Sequence, residues 1–121
     1  LSWAYPYLLV WPGRPWAIGH GAALWFHHSW PSRPPDAGRF AAQPFDPAGH
    51  VLAAVAAPLE ATHERLASLV TVDVVREVID LVPQEWLETT ASLPTSDAVR
   101  AAYVEHLTGR LANPRAWGGA S

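Results

Sequence analysis

The chain has 121 residues, half of them hydrophobic and 16% charged, with a formal net charge of −3. That composition suits one globular domain or part of one, and all eight basic residues are arginine with no basic run, which argues against nucleic acid and anionic membrane as partners. Cysteine is absent, so disulfides, zinc–thiolate sites and a cysteine nucleophile are excluded, and a cytoplasmic location is expected.

Residues 1–30 are rich in Trp, Tyr, Leu and Gly. Tyr7-Leu8-Leu9-Val10-Trp11 reads as a short strand, Pro12-Gly13 as a turn, and Pro15-Trp16-Ala17-Ile18 as the returning strand. A hairpin alone is marginal in water, so it is expected to pack on something. The apolar stretch from Tyr7 to Phe26 is interrupted by Pro12, Gly13, Arg14 and Pro15, which rules against a membrane span, and no basic n-region of a signal peptide precedes it. Methionine is absent, even at position 1, so the chain is expected to begin after processing or truncation, or to be one segment of a longer product.

Residues 31–49 contain Pro31, Pro34, Pro35, Pro44 and Pro47, with Gly38 and Gly49, and read as a loop or linker. Residues 50–113 read as helical. A short apolar run at 50–57 is ended by Pro58, and residues 59–69 are amphipathic, with Leu59, Leu66 and Leu69 set against Glu60, Glu64 and Arg65. Thr71 caps the next predicted helix, with Asp73 in its first turn and Val74, Val75, Val78, Ile79 and Val82 at helical spacing. Pro83 stops it, and residues 84–88 form a short helix with Trp86 and Leu87. Ser96 or Thr95 caps the last helix, in which Val99, Tyr103, Leu107 and Leu111 follow i, i+4 spacing until Asn113-Pro114. Residues 114–121 are a tail, and all four regions belong to one domain. The expected fold is α+β but mainly α, a short β-hairpin packed on a helical bundle.

Six histidines (His20, His27, His28, His50, His63, His106) raise a metal site, but adjacent His27 and His28 point in different directions in most backbones and no carboxylate sits at ligand spacing. Structural and hydrogen-bonding roles are expected instead, with His63 on a solvated helix face. Ser29 beside His28 lacks a nucleophile-elbow pattern. Gly19-His20-Gly21 lacks the spacing of a phosphate loop. Of seven tryptophans, five lie in the first 30 residues. Most are expected to pack between hairpin and helices, with Trp3 and Trp117 the exposed ones. The competing reading is a sticky surface, formed by Trp11, Trp16, Trp25 and Trp30, that meets a protein partner or a second copy.

Residues 8–30 read LLVWPGRPWAIGHGAALWFHHSW. This string resembles a segment of the HipA-like kinases, in which a hairpin runs N-P-N-L-L-x-W-x-G-R-x-W-x-I-D-H-G-A-A-L-x-F-H-H. The similarity continues through Pro44-Phe45, His50-Val51-Leu52, residues 82–87, residues 100–107 and Pro114-Arg115, and so covers nearly the whole chain. The resemblance implies a fold distantly similar to protein kinases, transfer of the γ-phosphoryl of ATP to serine or threonine with Mg²⁺, and a cytoplasmic toxin–antitoxin setting. Residues 1–30 are then the end of the catalytic loop and the metal-binding hairpin, and residues 50–113 the helical C-lobe.

The residues that hold Mg²⁺ and ATP in that family are not matched. In register with the hairpin, the catalytic aspartate falls before Leu1. The metal-binding asparagine position is Tyr5, the second asparagine of N-P-N is Tyr7, and the metal aspartate is Gly19, beside His20 and Gly21. Mg²⁺ takes hard oxygen ligands, which glycine lacks and neutral tyrosine supplies poorly. A chain without lysine cannot make the family's lysine contact to the phosphates. The expectation is a C-terminal fragment of a HipA-like kinase that is inactive alone and takes no cofactor or metal. The alternative is a helical protein-interaction module, a pseudokinase or toxin–antitoxin partner with a Trp-rich face.

Overall fold

The computed structural model describes residues 8–20, 24–44, 53–55, 58–113 and 116. The protein is mainly helical with one small sheet. Strands β1 (Leu8–Val10) and β2 (Pro15–Ala17) pair antiparallel, with Leu8 opposite Ala17 and Leu9 opposite Trp16. Gly13 takes φ +73° in the connecting turn, a region open to glycine at little cost, and Trp11 N–H donates to Arg14 C=O at 2.9 Å to close it. The Trp16 indole N–H donates to the Trp11 carbonyl.

A 3₁₀ turn at Trp25–Ser29 follows, then helices α1 (Ala37–Ala42), α2 (Leu59–Ala67), α3 (Val72–Asp80) and α4 (Ser96–Leu111). The expected caps form: Thr71 Oγ1 accepts from Val74 N–H at 3.3 Å, and Thr95 Oγ1 from Ala98 N–H at 3.1 Å. Each side chain satisfies one donor that a helix start leaves without a partner. Residues 84–86 form a single 3₁₀ turn.

Helix α1 corrects the reading of residues 31–49 as a loop throughout. Asp36 accepts from Arg39 N–H at 2.8 Å and starts a six-residue helix. Its end is held from α4: Arg110 donates to the carbonyls of Phe40 (3.2 Å), Ala41 (3.3 Å) and Gln43, and Asn113 Nδ2 to Ala41 at 3.1 Å. One guanidinium thus serves several of the carbonyls that a helix end leaves open. Burial lowers the Arg110 pKa from its ordinary value. Gly109 of α4 faces α1, where a Cβ would meet the Ala41 Cβ at 3.6 Å, an ordinary contact distance.

The core gathers on α4. Val99, Ala102 and His106 are buried from one face of it, against Phe26, Trp30, Leu87 and Leu93, with Phe40, Val82, Tyr103 and Leu107 packed around them. From α3, Val75 and Ile79 are buried. Arg100 of α4 donates to the carbonyls of Ile79 and of Val82 (2.7 Å), fastening the end of α3 to α4.

The hairpin does not take part in this core, and the expected packing of hairpin on helices is corrected accordingly. Every residue from 8 to 20 is exposed. Two three-residue strands offer too little area for a second layer, and the core is filled from the 3₁₀ turn and α1 instead.

Candidate functional site

The sequence points to one place, the segment around Gly19, and the structure adds two more: an aromatic cluster on α4 and the outer surface of α3.

Gly19 follows β2 with φ +69°. An L-residue with a Cβ is strained in this left-handed region, aspartate less than most. Position 19, singled out in the sequence as a possible metal position, therefore has a backbone that suits glycine and offers no side-chain oxygen. His20 beside it is exposed. Tyr5, Tyr7 and Gly21, the other positions singled out in the sequence, lie outside the described residues, as do Trp3, Trp117, His50-Val51-Leu52 and Pro114-Arg115.

The tryptophans divide sharply. Trp30 is 5% exposed, whereas Trp11 is 69%, Trp16 52%, Trp25 59% and Trp86 73% exposed. The expectation that most of them pack inside is corrected: among the described tryptophans only Trp30 does. For the same reason Trp30 is removed from the sticky surface; Trp11, Trp16 and Trp25 are exposed, as are Leu9 and Val10.

Around Phe26 the rings of Trp30, Phe40, Tyr103 and His106 form a cage. Phe26 stacks on His106 with centroids 5.2 Å apart and planes 13° from parallel, and lies 4.7 Å from Phe40 and 5.9 Å from Tyr103. His106 is 2% exposed, and its Nδ1 lies 2.8 Å from the Ala102 carbonyl, one turn back on its own helix. That pairing makes it a satisfied core histidine, as expected of most of the six. Tyr103 loses solvent here and sits near Glu88; burial first, and then that negative charge, raise its pKa above the ordinary tyrosine value. The rings of His27 and His28 lie 4.2 Å apart rather than diverging, and among the described residues the buried His27 Nδ1 has no hydrogen-bond partner. Among the described residues no three His, Cys, Asp or Glu side chains gather as a metal site. Ser29 Oγ donates to the Phe26 carbonyl at 3.0 Å, an ordinary turn contact rather than a nucleophile poised on a base.

Charge is distributed unevenly. Residues 58–105 carry nine carboxylates against Arg65, Arg76 and Arg100. An open groove of about 540 Å³ between α3 and α4 is lined by Asp80, Asp97 and Glu105, with Val72, Ala101 and Val104 as its apolar floor. Its two arginines are engaged elsewhere, Arg100 with the α3 carbonyls and Arg76 with Asp73 at 3.4 Å. Sequence reading missed this surface because each carboxylate, taken singly, looks like an ordinary solvated helix position.

Among the described residues no helix is long and apolar enough to cross a membrane. Comparison of the chain with protein-family models, curated proteins and solved structures finds no match.

Proposed function

We propose that this chain is a C-terminal part of a HipA-like kinase that has no phosphoryl-transfer activity by itself and works through protein contact. The resemblance of residues 8–30 to the metal-binding hairpin of that family is the starting point. The observation that carries the reading is the hairpin's exposure: Leu9, Val10, Trp11 and Trp16 are each at least half open to solvent. Apolar clusters that include tryptophans are typical of surfaces covered by another protein surface. A catalytic lobe, on this protein or another, is the cover the resemblance implies. Gly19 supports the inactive half of the proposal, because phosphoryl transfer rests on charge neutralisation by Mg²⁺ and its carboxylate ligands.

Calorimetric titration with ATP, with and without Mg²⁺, tests it. No heat in either titration is expected, and none for the Tyr5→Asn, Gly19→Asp double variant. Binding that strengthens with Mg²⁺, or Mg²⁺-dependent ATP turnover, overturns the proposal and points to other carboxylates, such as Asp36 or Asp46, as ligands. The second reading is a helical protein-interaction module, a pseudokinase or toxin–antitoxin partner, which the same exposed tryptophans favour. It predicts capture of a full-length kinase, an antitoxin or a second copy, and a strictly monomeric chain that captures none of these argues against it.

A further inference from the structure

A second unpartnered surface lies on α3, away from the hairpin. Val75 and Ile79 of that helix face the core, yet Val74, Val78 and Leu81 are 39%, 56% and 82% exposed. Their i, i+4, i+7 spacing lines them up along one side of the helix, since Leu81 continues the helical backbone at the C-cap. Asp73, Glu77 and Asp80 run beside this stripe as an exposed acidic ridge. Beyond the ridge, Asp80, Asp97 and Glu105 line the α3–α4 groove, and among the described residues their carboxylates pair with no basic group. Arg76, the cation of this helix, already contacts Asp73.

We propose that the outer face of α3 is a docking site for a basic amphipathic helix of a partner protein. Apolar anchors of the partner at helical spacing would cover Val74, Val78 and Leu81. Its lysines or arginines would lie over the Asp73–Glu77–Asp80 ridge and reach the groove carboxylates. Helix-on-helix recognition reads anchors at this repeat, and charge of opposite sign on the flank fixes orientation and speeds encounter. Charge also decides against a second copy on this face. Two copies paired antiparallel through α3, about a twofold axis perpendicular to the helix, would bring two acidic ridges together, and like charges across an interface are costly. This site does not depend on the kinase reading.

The test uses the full chain and a fluorescein-labelled synthetic helix with leucines at i, i+4 and i+7 and lysines along one flank, followed by anisotropy. A twin peptide has glutamate for lysine. The lysine peptide is expected to bind, and the glutamate twin to bind at least about tenfold more weakly. The Glu77→Lys, Asp80→Lys variant should reverse that preference. Val78→Asp should abolish binding while leaving the circular dichroism spectrum unchanged, because position 78 faces solvent. Raising salt from about 0.01 M to about 1 M shortens the screening length from about 30 Å to about 3 Å and should weaken the complex. Equal binding of both peptides, or none, overturns the proposal. So does concentration-dependent self-association that Val78→Asp removes, since the occupant would then be another copy.

Discussion

The hairpin and α4 use the same kinds of side chain to opposite ends. Trp16 stands on a two-stranded ribbon outside the buried core and is 52% exposed; Trp30 meets Phe26, Tyr103 and His106 and is 5% exposed. The difference does not come from the tryptophan. It comes from whether a second layer exists, because aromatic area stabilises a fold only when another element removes it from water. The helical half supplies that layer through α1, the 3₁₀ turn and α4. The ribbon leaves its own aromatic area as free energy available to binding.

Truncation should separate the two regions most clearly. Phe26→Ala removes the ring at the centre of the cage and should cost about 3–5 kcal/mol, measured by urea unfolding. Trp11→Ala and Trp16→Ala should change stability by no more than about 0.5 kcal/mol, the usual range for surface positions. If Trp16→Ala destabilises the chain as much as Phe26→Ala, the hairpin is part of the core in solution and the contrast fails.

A smaller loss is expected at the joint between α3 and α4. Arg100 is half-buried and donates to two carbonyls, those of Ile79 and Val82. Arg100→Ala should cost about 1.5–3 kcal/mol, the range for hydrogen bonds made by a charged group. Arg100→Lys should recover only part of this, because one ammonium cannot match the guanidinium fork at two acceptors. Full rescue by lysine would mean that the charge, not the fork, holds the helices together.

Local rules explain which of these features were legible in the sequence. Thr71 announces its helix because capping is decided within four residues, and of the two candidates Thr95 and Ser96 the structure places Thr95 at the cap of α4. Pro12-Gly13 announces the turn for the same reason. Helix α1 escaped notice because it is six residues long among prolines, although Asp36 was a legible cap. The core face of α4 was half legible. Val99 and Tyr103 stand out at i, i+4 spacing, but His106 and Ala102 are buried with them and a count of large apolar residues passes over both. Nothing local in the sequence marks Arg100 and Arg110 as clamps, since their acceptors lie 18 or more residues away. The candidate sites follow the same division. The Gly19 position comes from a string of neighbours and is visible in sequence, whereas the α3 stripe is visible only once Val75 and Ile79 are known to be buried and Val74 and Val78 are not.

The smallest expected effect tests the edge of the cage at Tyr103. Its phenol is neutral at physiological pH, and burial together with Glu88 holds its pKa above the ordinary 10.0. In the unfolded chain the phenol ionises near that ordinary value. Above it the unfolded state has released a proton that the folded state still keeps, so unfolding gains. The contribution is complete below about pH 10, is lost as the pH rises towards the folded pKa, and levels off beyond it. Arg110 shifts in the opposite direction, but it is present in both proteins of the comparison that isolates the effect: wild type against Tyr103→Phe, unfolded in urea from pH 8 to 11. At pH 8 the two should agree within about 0.5 kcal/mol, since among the described residues the Tyr103 hydroxyl makes no hydrogen bond. Above pH 10 the wild type should lose stability faster. Parallel curves would mean that the phenol reaches water freely, and that the cage is open on the side where α4 faces Glu88.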